Sequence, residues 1–140
     1  MIKTVTERKP IVYSCSGCSS AAQMTNYLAL QLDRKEIAEM SCIAGVGGNV
    51  KKLVRTALSG RKIIAIDGCP LACSKACLSN HNLIPDMHFE LTQFGVSKKQ
   101  HEDFDREEAG RVLHEIESGI KKRSYNPYVS LNNVGADSIY

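Results

Sequence analysis

Six cysteines carry the chemistry of this chain: Cys15, Cys18, Cys42, Cys69, Cys73 and Cys77. Thiolates are soft donors that hold zinc or iron–sulfur clusters, and they also exchange disulfides and act as nucleophiles. Which of these applies depends first on the compartment. The opening stretch MIKTVTERKPIVYS is charged and lacks the apolar run of a secretory signal, and no apolar stretch approaches a membrane span. A cytoplasmic protein is therefore expected. A chain of 140 residues buries its own core without cross-links. In a reducing compartment the cysteines then point to metal or thiol chemistry rather than to a disulfide framework. The plainer alternative is burial as small hydrophobes. Their placement on the fold has to choose.

The elements that position them read as four repeats of an apolar run followed by a helical pattern. Residues 10–14 and 37–43 read as strands, and KIIAI (62–66) is a near-continuous apolar run that suits a strand buried on both faces. MHFELT (87–92) alternates, as an edge strand would. Helices are predicted from Ser19 to about Leu32, with Ala21, Met24, Leu28 and Leu32 on one face, and from Asn49, as N-cap, through Val50, Leu53, Val54, Ala57 and Leu58 to Gly60. Two more are predicted from Pro70 to about Asn80 and from about Asp105 to Lys122, the last with Ala109, Val112, Leu113, Ile116 and Ile120 facing inward. Strands alternating with helices imply a three-layer α/β sandwich around a mostly parallel four-stranded sheet, flavodoxin-like or Rossmann-like. Residues 1–123 form one expected domain. Residues 124–140, rich in Asn, Ser and Tyr, form a tail that packs on the body or crosses to a partner in a homodimer.

On this frame every cysteine falls at or just beyond a strand end. Cys15 and Cys18 follow the first strand, Cys42 ends the second, Cys69 follows the third, and Cys73 and Cys77 continue into the next helix. A parallel sheet collects its strand C-termini on one edge, where ligands bind at the switch point of strand order. Asp67-Gly68-Cys69-Pro70 reads as a tight strand-to-helix turn with Pro70 at the first helical position and Cys69 near the N-cap. Cys69, Cys73 and Cys77 would then share a helix face, each about 40° round from the last. A C-x-x-C, a lone cysteine and a C-x-x-x-C gathered at one edge favour a metal or redox site over inert burial. Thiolate coordination suits zinc first, and iron–sulfur clusters as the alternative.

The stretches YSCSGCSS, EMSCIAGVGG, IDGCPLACSKACL and LTQFGVSK resemble the DGC-domain family over roughly residues 11–98. That family takes its name from the Asp-Gly-Cys motif. The resemblance implies a zinc-binding protein whose function is not assigned, with four chelating cysteines that fall on Cys15, Cys42, Cys69 and Cys73. Cys18 and Cys77 lie at positions often not cysteine in the family. They leave room for a second metal, a ligand swap or a disulfide-forming pair, beside a plain buried role.

Other signals are weaker. His114 reads as a surface residue, His88 as outward-facing on the fourth strand, and His81 and His101 as loop residues, so none is a predicted ligand. Gly45-Val46-Gly47-Gly48-Asn49 lacks both the full G-x-G-x-x-G form and a P-loop Lys-Ser/Thr, and reads as a glycine turn that lets the backbone pass close to Cys42. Asp67 is expected to bind amides of its own turn or to support a ligand. A net charge of +3, spread over the short clusters Lys51-Lys52, Lys98-Lys99 and Lys121-Lys122-Arg123, predicts no nucleic-acid partner. The partner protein is not legible. Four thiolate ligands would close the coordination shell, which favours metal storage, carriage or sensing over catalysis. A thiol redox or iron–sulfur electron-transfer protein is the second expectation. A hydrolase using Cys15 as nucleophile would need an arginine in the loop that follows, and SGCSSAAQ contains none.

Overall fold

In the computed structural model, which describes residues 8–125, the apolar runs Ile11–Ser14 (β1) and Ile63–Asp67 (β3) pair in parallel along the sheet centre. Both are buried at every position, as strands covered on two faces must be. Glu39–Met40 (β2) flanks β1, and Met87–Glu90 (β4) flanks β3 at the opposite edge. All pairs are parallel and the order is β2-β1-β3-β4. The sheet is thus wholly parallel, and its order is compatible with a flavodoxin-like arrangement.

Helices cover both faces. Ser20–Arg34 (α1) and Arg106–Tyr125 (α5) pack on one side, where Met24, Leu28, Leu32, Val112 and Ile116 meet Val12, Ile64 and Ile66. The inward stripes of α1 and α5 are the ones their periodicity predicts. On the other side, Val46, Ala57 and Leu78 come from Ile43–Gly47 (α2), Lys51–Ala57 (α3) and Cys73–Ser79 (α4), and meet Ile11, Tyr13, Ile63 and Ala65. The chain grows outward from β1 to β2, then returns to place β3 on the far side of β1. Right-handed crossovers in opposite directions put their helices on opposite faces. The ends of β1 and β3 therefore form the switch point.

Several boundaries differ from the sequence reading, each for a local reason. The second strand shrinks from residues 37–43 to two, because the amides of Ile37 and Ala38 are taken by Leu32 O at the end of α1 (3.0 and 3.3 Å). The helix α1 runs two residues past Leu32, into the charged turn. The glycine turn after Cys42 is instead the short helix α2; a β-carbon at Gly45 would overlap Leu53 Cδ1. Asn49 does not cap α3: it adopts a left-handed φ of 60°, and Val50 stands at the N-cap without a side-chain bond. The predicted stripe on α3 is only partly core, since Ala57 is buried but Val50 and Leu58 are 50% and 53% exposed. The helix expected from Pro70 begins at Cys73, and the fourth strand gives way at Leu91 to a 3-10 turn, Leu91–Phe94. The tail expectation falls on residues 124–140, of which 126–140 lie outside the described residues.

These burials set unequal sensitivities. Ile64→Ala, at the fully buried centre of β3, should lower stability by about 2–5 kcal/mol. Leu58→Ser, on the open face of α3, should change it by no more than about 0.5 kcal/mol. Urea titration of both variants checks the contrast.

Candidate metal centre

At the end of β1, Cys15 still belongs to the sheet, its amide donating to Ile66 O at 3.0 Å. Its sulfur is buried, accepts from Gly68 N at 3.3 Å, and lies 3.3 Å from Thr25 Oγ1. Burial pushes the Cys15 thiol up; the Thr25 and Gly68 contacts lower it, the charges of Asp67 and Cys73 raise it, and the net shift is upward. That is opposite to what an activated nucleophile needs. The chain then turns through Gly17, whose φ of 149° suits glycine, and exposes Cys18 before Ser19 caps α1 by accepting from Ala22 N at 3.1 Å.

The Asp-Gly-Cys segment at the end of β3 builds the facing wall. Asp67, 1% exposed, accepts from Ser74 N at 2.8 Å, from Lys75 N at 3.3 Å and from His88 Nε2 at 2.8 Å. Burial alone would raise its pKa, but the hydrogen bonds from His88 and from the Ser74 and Lys75 amides outweigh that and hold the carboxyl below the usual range. Gly68 is required by space: a β-carbon there would stand 2.8 Å from Ala21 C and 2.9 Å from Ala22 N in the α1 backbone. Cys69 then enters a turn closed by Ala72 N donating to Cys69 O at 3.1 Å. Ala72 is the N-cap of α4 at φ 50°, a conformation that costs a non-glycine residue about 1–2 kcal/mol. So Cys69 stands outside the helix and Cys73 opens it, and the three cysteines do not share one helical face as expected.

A loop after β4 closes the site from above. Ser20 and Lys99 exchange two bonds, Ser20 N to Lys99 O at 2.8 Å and Lys99 N to Ser20 Oγ at 2.9 Å, which pin residues 97–100 to the start of α1. From this latch Lys98 Nζ donates to Cys69 Sγ at 3.5 Å, and Gln100 Oε1 accepts from Cys18 Sγ at 3.8 Å. Beneath it lies a cavity of about 200 Å³ whose lining includes Cys15, Cys18, Cys69, Cys73, Lys98 and Gln100. Cys42 and Cys77 do not line it. Cys42 is exposed at the N-cap of α2. Cys77 packs towards α2, where a β-carbon at Gly47 would stand 3.0 Å from its sulfur. Burial pushes the Cys77 thiol up, and the nearby charges of Cys73 and Asp67 push it further.

The donor set suits a soft ion in kind, because the cavity is lined by four thiols and by no carboxylate or imidazole. Among the described residues, no three Cys, His, Asp or Glu side chains stand close enough to hold a metal as they are placed. Cys18 and Cys73 are exposed, which leaves their side chains free to rotate inward. Two contributors escaped the sequence reading. His88 points to Asp67 rather than outward, a cross-strand pairing that period-two alternation does not contain. Lys98 lay in view, at the end of LTQFGVSK, but only the fold carries it to Cys69.

Residues 11–116 match the DGC domain. The chain belongs to the DGC-domain family. It is also similar to the anaerobic and virulence modulator AnvM of Pseudomonas aeruginosa, 55% identical over 108 residues that cover 77% of this chain and 82% of that protein. No solved structure matches it. In this member of the family the motif's three letters have separable physical roles. Asp67 anchors α4, Gly68 admits α1, and Cys69 faces the cavity.

Two outcomes follow for the motif. Asp67→Asn should lose about 1–3 kcal/mol at neutral pH. Because its folded pKa is depressed, that stabilisation is present above the unfolded value of about 3.9 and disappears as pH falls through the lower folded one. The gap between wild type and variant in urea midpoints should thus be constant above about pH 5 and narrow below about pH 4. Gly68→Ala should cost about 1–3 kcal/mol or more through the clash with α1, whereas Gly110→Ala, with open space on α5, should gain up to about 1 kcal/mol. Thermal melts of the two variants separate these signs.

Proposed function

We propose that this DGC-domain protein binds zinc through cysteine thiolates at the switch point of its sheet, and acts in metal sensing, with storage or carriage as variants of the same role. The observation that carries the reading is the cavity lined by four thiols and by no carboxylate or imidazole, walled by the motif that defines the family. Cys15, Cys69 and Cys73 belong both to this cavity and to the ligand set that the resemblance implies. Cys42 is the fourth member of that set, and Cys18 stands in the cavity itself. When bound, zinc would supply a closed tetrahedral thiolate centre rather than an open Lewis-acid position. The protein's part is to give up thiol protons, to hold Cys15 fixed through Thr25 and Gly68, and to set the Lys98 cation against Cys69.

A folded α/β sandwich does not need zinc merely to fold, which favours a role in which occupancy carries information. The relative's name describes a modulator of anaerobic and virulence behaviour, and we extend a regulatory role of that kind to this chain. Thiols in this number fit a reducing compartment, so the proposal places the protein in the cytoplasm. The exposure of Cys18, Cys42 and Cys73 supports a second reading, in which the same thiols exchange disulfides or hold an iron–sulfur cluster.

Elemental analysis and a visible spectrum of tag-free protein distinguish the two. Near-stoichiometric zinc in a colourless sample is expected, and the double variant Cys69→Ser/Cys73→Ser should lose it. Iron with a broad brown absorbance, or no metal with reversibly oxidising thiols, would move the protein to the second reading. Full metal retention in the double variant would overturn the thiolate site.

A further inference from the structure

The ligand set that the resemblance implies and the cavity in the structure agree on three cysteines and differ on the fourth. Cys42 follows β2, which lies beyond β1 and away from β3, so it is not at the switch point between β1 and β3. It opens α2, whose Val46 packs with Tyr13 and Leu78 on the face opposite α1. Its thiol is near enough to Tyr13 for its charge to be felt there, and does not line the cavity. Cys18 leads into α1 on the other face, where Gly68 approaches the α1 backbone and brings Cys69 over the helix start.

Two hydrogen bonds from one loop fix the relation of Cys18 to Cys69 independently of the cavity outline. Lys98 reaches Cys69 Sγ and Gln100 reaches Cys18 Sγ, and the two residues are separated by a single position in a segment pinned to Ser20. Both sulfurs therefore lie beneath the same short span of backbone. Cys15 and Cys73 line the same cavity, near enough for the Cys73 charge to act on Cys15.

We infer that the fourth thiolate in this chain is Cys18, so that the metal is held by Cys15-x-x-Cys18 and Cys69-x-x-x-Cys73, with Cys42 outside the shell. The inference rests on the zinc reading above. Binding is a plain exchange: one zinc ion enters, four thiols release four protons, and no electrons move. Four thiolates around a divalent ion leave two negative charges in excess, and Lys98 is the cation placed to offset part of that excess.

The test uses the full chain, reduced and free of any metal-binding tag, loaded with zinc or with cobalt(II) as a coloured reporter. Cys18→Ser should weaken zinc binding by more than about tenfold and diminish the cobalt–thiolate charge-transfer band. Cys42→Ser should keep both close to wild type. Loss in Cys42→Ser equal to or greater than that in Cys18→Ser overturns the assignment. Cys69→Ser is the reference: if it retains metal, the zinc reading itself fails, whatever the other two do. Alkylation of the wild type with and without zinc, read by mass spectrometry, needs no variant to fold. Zinc should protect Cys18 and leave Cys42 equally labelled in both samples; the reverse pattern overturns the inference.

Discussion

A single buried carboxylate holds together the parts on which the site depends. Asp67 ends the central strand β3, and with almost no exposed surface it must find partners for both oxygens or lose its charge. It finds them in the first amides of α4 and in His88 of β4. One side chain thereby fixes the start of the cysteine-bearing helix relative to the strand that precedes it, and ties the edge strand to the same point. A carboxylate at a helix N-terminus also meets the positive end of the helix dipole, so the electrostatics and the hydrogen bonds act in the same direction. This anchor adds to the bonds from Ala72 N to Cys69 O and from Ala76 N to Ala72 O, which hold the left-handed Ala72 in the turn from Cys69 to Cys73.

The remaining walls follow from close approach. Gly68 lets the β3 turn lie against the α1 backbone, and its amide binds the Cys15 sulfur, so the two halves of the site meet through one residue without a side chain. Ser20 and Lys99 join the third wall to the same helix start. The strain at Ala72 is small beside the burial of the central strands, and it lies in the loop that carries the cavity's cysteines. This is the usual location for conformational cost in a folded protein. The backbone of the site is tied by these hydrogen bonds, while Cys18 and Cys73 keep exposed side chains.

Much of the frame was legible in the sequence because it depends on period alone. The stripes of α1 and α5 and the continuous apolar run of β3 report burial directly, and all three lie where periodicity puts them. The placement of cysteines at strand ends was legible for the same reason. What failed depended on long-range geometry. The α3 period predicts an apolar face, yet among the described residues Val50 and Leu58 on it stay half exposed. The glycines at 45 and 47 suggest a turn by composition, but in the fold their small size admits Leu53 and Cys77. An alanine at positive φ has no sequence signature, so the sequence places the start of α4 three residues early, at Pro70. Which cysteines face one another follows from strand order, and the hydrophobic pattern does not contain strand order.

The brevity of the outer strands has a consequence of another kind. A sheet edge offers unpaired amides and carbonyls to any extended chain that meets it, and long flat edges invite aggregation. Here one border has only Glu39 and Met40, with the Met40 amide already bonded to Asp33 Oδ2 at 2.9 Å. The other border ends after Glu90, whose carboxylate turns the backbone at once by accepting from Thr92 N. A wholly parallel sheet folds slowly because its partners are distant in sequence, and its strands stay exposed for longer while it does so. Once folded, the sheet therefore offers a foreign strand little edge to pair with among the described residues.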